Sequence, residues 1–274
     1  MIPAPFEYVR AGSAEEAVAL LVEHGDEAKL LAGGHSLLPL MKLRLATPAV
    51  LVDVGRVREL SYVEDRGDHI AVGALTRHRD LETSALLQQE VPLLSAAAAT
   101  VGDPQVRHRG TLGGSLAHGD PASDLPAVAL AVGATLVARG TGGERVIPAA
   151  EFFRGFLETA LQPDELLAEV RLPKLAGVGW AFEKFTRRSQ DWAVVGVAAV
   201  AGNGSTGVAL VNMGSTPLRA GAVEEALASG ASAADAATRA DEGTEPPADL
   251  NASPEYRRHL ARVFVRRALE RCGR

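Results

Sequence analysis

The stretch Leu30-Leu31-Ala32-Gly33-Gly34-His35-Ser36 decides the fold, because a short apolar run ends there in two glycines. The run predicts a strand from Ala28 to Ala32, and the residues after Ser36 predict a short helix. Two glycines between these elements let backbone N–H groups approach an anion without Cβ atoms in the way. A tight turn without a ligand is the alternative, and this stretch alone leaves both open.

A second stretch, Gly110-Thr111-Leu112-Gly113-Gly114-Ser115, repeats the pattern about eighty residues later. Its hydroxyl side chains, Thr111 and Ser115, add donors beside the glycine pair. Neither stretch has the three spaced glycines of a Rossmann fingerprint or the Gly-Lys-Ser/Thr of a P-loop. Two such glycine loops in one chain favour a shared anion site over two unrelated turns.

The residues around the first stretch predict a small α/β unit. Ser13 and Glu16 form a capping box at the start of a helix, and the apolar run from Val50 to Val54 predicts another strand. Further predicted elements follow in order: a hairpin over 60–74, helices over 76–87 and 92–101, a helix over 127–132, a hairpin over 135–147, and a strand over 165–172.

The segment 174–179 reads as a boundary. Beyond it, three strand-like runs cover 180–186, 194–201 and 208–213, and Asn203-Gly204 predicts a hairpin between the last two. Helices are expected from Ala222 and Ala233, and a long one from Ser253. Because most strands follow one another as hairpins, we expect an α+β fold with mixed or antiparallel sheets.

The composition excludes several classes of protein. Apolar residues make up 47% and charged residues 23% of 274 residues, which argues against disorder, and the net charge of −6 argues against general nucleic-acid binding. The single cysteine, Cys272, can form neither an internal disulfide nor a cysteine-ligated cluster. We see no signal peptide or transmembrane run and expect a cytoplasmic protein.

Few other side chains are candidates for binding a ligand or a metal ion. Asp124 would repel a phosphate, so it either binds a ligand hydroxyl or caps the helix that follows. Lys184 either faces solvent on a half-buried strand or places a cation near a ligand. The spacing of His35, His108 and His118 does not fit a metal site.

The ordered set of motifs resembles the FAD-binding medium subunit of the molybdenum hydroxylases, the family of xanthine dehydrogenase and carbon monoxide dehydrogenase. The set comprises 32–36, 110–115, Ser123-Asp124-Leu125-Pro126 and Glu183-Lys184-Phe185-Thr186-Arg187-Arg188. The resemblance implies an α+β chain with a two-lobed FAD-binding domain, lobes 1–56 and 57–176. A C-terminal domain, 177–274, would consist of a three-stranded antiparallel sheet and helices.

The resemblance also implies a cofactor site. The FAD pyrophosphate would lie between 32–36 and 111–115, with Leu30 and Leu31 near the adenine and Lys184 near the flavin ring. The implied cofactor-binding residues are Leu30, Leu31, Ala32, Gly33, Gly34, His35, Ser36, Val101, Gly102, Thr111, Gly113, Gly114, Ser115, Asp124, Leu167 and Lys184.

By the same resemblance, the partners would be a small subunit with [2Fe–2S] clusters and a large subunit with molybdopterin, assembled as a dimer of heterotrimers. The FAD of this chain would accept electrons from the clusters and pass them to a quinone, NAD or oxygen. No residue here would act as a catalytic acid or base, and no metal would bind this chain. Two alternatives stay open: a free-standing FAD-dependent oxidoreductase and a cofactor-free assembly subunit.

Overall fold

The computed structural model describes residues 2–202 and 205–274. The predicted hairpin at Asn203-Gly204 lies outside the described residues. Elsewhere the model shows an α+β fold built on three larger sheets, which confirms the predicted fold class. No helix in the described part of the chain is long and apolar enough to cross a membrane.

The first sheet carries the first glycine loop. Its three strands lie in the order β1-β3-β2, and both pairings are parallel, where mixed or antiparallel pairing was expected. The elements are β1 (Glu7–Arg10), α1 (Ala14–His24), β2 (Ala28–Leu31), α2 (Leu37–Lys42) and β3 (Val50–Asp53). The hydroxyl of Ser13 caps α1 as the capping box predicts, accepting from the N–H of Glu16 at 3.1 Å.

The second sheet is antiparallel, in the order β4-β5-β10-β6-β7, and helices pack against it. The predicted helix over 76–87 is two helices, because Ser84 adopts an extended backbone and caps the second. The elements are β4 (Val63–Asp65), β5 (His69–Gly73), α3 (His78–Thr83), α4 (Ala85–Glu90), α5 (Pro92–Ala99), α6 (Pro104–Arg109), α7 (Leu112–His118), α8 (Asp124–Val132), β6 (Thr135–Gly140), β7 (Gly143–Pro148), α9 (Ala149–Phe152), β8 (Phe153–Gly155), β9 (Glu158–Thr159) and β10 (Leu166–Pro173).

The third sheet contains the three predicted C-terminal strands and a fourth of two residues, all antiparallel. Helix α12 covers one face of this sheet and α8 the other, so α8 is buried along its whole length. The elements are β11 (Gly179–Phe185), β12 (Val195–Gly202), β13 (Ser205–Val211), β14 (Leu218–Arg219), α10 (Gly221–Ala228), α11 (Ala233–Ala237) and α12 (Pro254–Arg271).

Candidate functional site

A cleft of about 740 Å³ is lined by nearly all of the predicted cofactor-binding residues. Both glycine stretches line it, together with the corner after α5, strand β10 and strand β11. The predicted residues on its wall are Leu30, Ala32, Gly33, Gly34, His35, Ser36, Val101, Gly102, Thr111, Gly113, Gly114, Ser115, Asp124, Leu167 and Lys184. Leu31, half-buried in β2, is the one predicted residue outside this lining.

The first glycine loop lines the cleft and contains a run of free amides. Gly34 adopts a left-handed φ of 79°, which turns the chain from β2 into α2. In the part of the chain that the structure describes, none of the N–H groups of residues 33–37 donates a hydrogen bond to a protein acceptor. Consecutive free amides of this kind form a concave anion site, so the first loop fits the predicted role.

The second glycine stretch is built differently. Its glycine pair lies in the first turn of α7, and Thr111 is the N-cap, with its hydroxyl accepting from the N–H of Gly114 at 3.1 Å. The N–H of Leu112 donates to the carbonyl of Thr76, and that of Gly113 to the carbonyl of Ala74. The N–H of Ser115 also donates within the protein, to the carbonyl of Thr111 at 3.0 Å. These four amides of the stretch are therefore used by the protein, which leaves the first loop as the main amide donor.

Glycines also bring the two stretches into direct contact. A Cβ on Gly33 would lie 2.8 Å from the Cα of Gly110, and one on Gly110 would lie 2.6 Å from the Cδ2 of His78. Arg77 fixes the crossing, because its guanidinium donates to the carbonyl of Arg109 and, at 3.4 Å, to that of Gly55. The two loops thus meet backbone to backbone at one end of the cleft.

Asp124 and Lys184 form a buried ion pair on the cleft wall. The Nζ of Lys184 lies 2.6 Å from the Oδ2 of Asp124 and donates to the carbonyl of Thr100 at 3.1 Å. The two side chains are only 6% and 10% exposed, so the solvent-facing alternative for Lys184 is wrong. The N-cap alternative for Asp124 is also wrong, because Ser123 occupies that position and Asp124 begins α8.

The ion pair between Asp124 and Lys184 leaves one carboxylate oxygen of Asp124 without a hydrogen-bond partner in the described part of the chain. Burial raises the pKa of Asp124 to about 6 in spite of the neighbouring Lys184 ammonium. The Oδ1 of Asp124 is buried and has no hydrogen-bond partner among the described residues. An orphaned carboxylate oxygen on a cleft wall fits a ligand that brings a hydroxyl or N–H donor.

Three lining residues outside the predicted set stand out for their chemistry. Burial lowers the pKa of His78 to about 4 and also lowers the pKa of His118, so both imidazoles are neutral at neutral pH. Trp192 lies in the segment between β11 and β12 and is 57% exposed at the cleft mouth. An exposed tryptophan in a chain with 4% aromatic residues is the one signal that could have drawn attention to it.

A second cleft of about 610 Å³ adjoins the first and shares Asp191 and Trp192 with it. Within the described residues, no group of three or more His, Cys, Asp or Glu side chains is placed to hold a metal ion. The thiol of Cys272 is buried at the end of α12, and burial raises its pKa to about 11.

Comparison with known proteins identifies the family. The protein-family model described as the FAD binding domain in molybdopterin dehydrogenase matches residues 4–175. The family model described as the CO dehydrogenase flavoprotein C-terminal domain matches residues 180–272. The chain is 43% identical to the carbon monoxide dehydrogenase medium chain of Hydrogenophaga pseudoflava over 98% of this chain and 97% of that protein. It is 42% identical to the caffeine dehydrogenase subunit beta of a Pseudomonas species, over 83% and 79%.

Solved structures agree. Carbon monoxide dehydrogenase from H. pseudoflava, in a form lacking the Mo-pyranopterin moiety of its cofactor, superposes with a TM-score of 0.96 at 44% identity, over 100% of this chain and 99% of that chain. Quinoline 2-oxidoreductase from Pseudomonas putida 86 gives 0.93 at 33% identity, over 100% and 99%. The predicted resemblance is confirmed: the chain belongs to the family of FAD-binding medium subunits of molybdenum hydroxylases and is an oxidoreductase subunit.

Proposed function

We propose that this chain binds one FAD in the cleft between the glycine stretches and relays electrons through it. The electrons come from [2Fe–2S] clusters in a small partner subunit, after a large molybdopterin subunit has oxidised the substrate. An external acceptor, which can be a quinone, NAD or oxygen, then receives them. The assembly is a dimer of heterotrimers in the cytoplasm.

The run of free amides at 33–37 carries this proposal. A pyrophosphate is a dianion that accepts several hydrogen bonds at once, and this loop offers consecutive N–H donors with no Cβ on two of its residues. The side chain of Ser115 lines the same cleft. The residues present therefore fit the phosphate part of FAD.

The rest of the cleft fits the remaining parts of FAD. The free Oδ1 of Asp124 can accept from a ribityl hydroxyl or a ring N–H, and Lys184 neutralises the buried carboxylate beside it. Apolar side chains such as Leu30 and Leu167 line the wall and favour planar rings over water. The other predicted cofactor contacts, Leu31, Ala32, His35, Val101, Gly102, Thr111 and Gly113, belong to the same proposal.

When bound, FAD supplies the redox chemistry, accepting and releasing one or two electrons. The protein's own contribution is to bind and orient the cofactor. The neutral imidazole of His78 packs beside the contact between the two glycine stretches and adds no charge to it. Lys184 places a cation next to the buried carboxylate of Asp124. No side chain acts as a catalytic acid or base in this proposal.

A titration of the purified, cofactor-free chain with FAD tests the proposal. We expect saturable binding of one FAD per chain, seen as quenching of flavin fluorescence, and no turnover of small organic substrates until the partner subunits are added. Substrate turnover by the isolated chain would favour a free-standing oxidoreductase. A folded chain that takes up no FAD would refute the proposal and favour the assembly-subunit alternative.

A further inference from the structure

The segment between β11 and β12, residues 186–194, forms one side of the cofactor cleft. We call it the Trp192 loop. Gln190, Asp191 and Trp192 line the cleft, and Gln190 holds a left-handed φ of 69° that a non-glycine residue rarely adopts. Such a conformation persists only where the surrounding structure enforces it, so contacts from outside the loop must fix it.

The end of the Trp192 loop is held by the N–H of Val194, which donates to the carbonyl of Phe185 at 2.8 Å, and by Asn212, which donates to the carbonyl of Ala193 at 2.8 Å. A further contact, from outside the sheet, comes from Arg257 on α12 of the C-terminal region. Its side chain is fully buried. One arm of the guanidinium donates to the carbonyl of Val194, at the end of the Trp192 loop, and the other donates to the Oδ2 of Asp249 at 2.7 Å. One planar side chain thereby joins the loop to the segment before α12.

The burial of Arg257 is only partly compensated by its partners. Its Nε is buried with no partner among the described residues, and its only carboxylate partner, Asp249, is 39% exposed. Burying a guanidinium on these terms is costly, and a well-packed apolar side chain at such a position is often no less stable. The arrangement favours a role that needs the fork geometry of arginine.

The segment around Asp249, which Arg257 contacts, is itself fixed by hydrogen bonds. The Oδ1 of Asp249 accepts from the N–H groups of Asn251 at 2.8 Å and Ala252 at 3.0 Å, which fixes the turn into α12. The other end of the Trp192 loop is tied to the same segment, because Arg187 donates to the carbonyl of Leu250 at 3.0 Å. The loop is therefore held at both ends against a fixed turn.

We propose that Arg257 is a positioning residue for FAD binding: by holding Val194 against Asp249, it fixes the Trp192 loop as a wall of the cofactor cleft. This inference rests on the proposed function, because it assumes that the cleft holds FAD. Arg257 lines neither cleft, so it acts only through the loop.

The test uses the full chain with Trp180→Phe, which leaves Trp192 as the only tryptophan. Arg257→Lys keeps the charge but cannot reach both acceptors as a fork. Arg262→Lys is the matched control, because Arg262 lies on the same helix and pairs with Asp241 at 2.7 Å, away from the loop. The readouts are the Kd for FAD, acrylamide quenching of Trp192 in the cofactor-free chain, and thermal unfolding.

We expect Arg257→Lys to raise the Kd for FAD by about threefold to tenfold, the range that corresponds to the net contribution of one ordinary hydrogen bond. Acrylamide should quench Trp192 more strongly in this variant, and Arg262→Lys should change neither readout. Asp249→Asn removes the acceptor Oδ2 from a partly exposed site and should shift both readouts in the same direction. If Arg257→Lys does not fold, Asp249→Asn alone tests the proposal with the same two measurements.

Unchanged FAD affinity and unchanged quenching in both variants would overturn the inference, even if the unfolding temperature falls, since a purely structural role predicts that result. If the parent chain binds FAD in that experiment, the proposed function stands while the inference fails. A folded parent chain that binds no FAD would overturn both.

Discussion

Replacing Gly33 with alanine tests whether contact between the glycine stretches shapes the cleft. The added Cβ would lie 2.8 Å from the Cα of Gly110 and 3.0 Å from the carbonyl carbon of Arg109. Carbon atoms pack at about 3.5 Å, so the two backbones must separate by about 0.7 Å. The carbonyl oxygen of Arg109 would lie closer still. All three obstacles are backbone atoms, which cannot rotate away as a side chain could.

Overpacking of this kind costs about 1–3 kcal/mol. If the loops open to relieve it, the cost falls on FAD binding and raises the Kd about 5- to 150-fold, at about 1.4 kcal/mol per tenfold. If they stay together, the same cost falls on the free energy of unfolding. Urea unfolding of the cofactor-free chain, together with FAD titration, measures both parts.

Gly142→Ala is the control. Gly142 lies in the turn between β6 and β7, its φ is not left-handed, and no heavy atom lies within 4 Å of where its Cβ would be. We expect this variant to match the wild type in stability and FAD affinity. If Gly33→Ala also matches the wild type in both, the loops do not need their close approach and the reasoning fails.

Three further predictions concern buried side chains. Between pH 7 and 4.5, wild type should lose about 2 kcal/mol of unfolding free energy relative to His78→Leu in urea unfolding. The native pKa of about 4 lies below the 6.5 of the unfolded histidine, so acidification protonates mainly the unfolded chain. Stability curves that run parallel with pH would contradict this. Lys184→Met should lower the free energy of unfolding by about 3–5 kcal/mol, because it leaves the buried carboxylate of Asp124 without its ion-pair partner. Adding Asp124→Asn should recover part of this loss. Additive losses in the double variant would show that the two side chains are not coupled. Cys272 should react with thiol reagents far more slowly in folded than in unfolded chain, because burial raises its pKa to about 11; equal rates would contradict its burial.

Much of the fold could be predicted from local pattern. Apolar runs such as 28–32 and 50–54 mark strands, and glycine pairs mark the places where the backbone turns. Strand β1, Glu7–Arg10, was missed because its side chains are mostly exposed and show no apolar alternation. Helix α6 was not predicted, because a proline after the helix predicted over 92–101 favours an ending, whereas Pro104 occupies the first turn of a new helix capped by Asp103.

The site was harder to predict in detail. Nothing local to Asp124 or Lys184 indicates that two residues sixty positions apart form a buried pair. The use of the Gly113 amide by the carbonyl of Ala74 is likewise a tertiary contact without a sequence signal. The domain limits at 56 and 176, and the roles of individual cleft residues toward FAD, stay predictions.

Helix α8 joins the two matched family regions into one folding unit. It belongs to the first region in sequence, yet β12 and β13 of the second cover one of its faces, and a Cβ on Gly207 would lie 3.0 Å from the carbonyl carbon of Ala131. A chain cut after residue 176 would expose an apolar helix to water and should aggregate. The boundary between the two matched regions is therefore not one along which the protein can be divided, and exchange of one region between relatives would require both sides of α8 to change together.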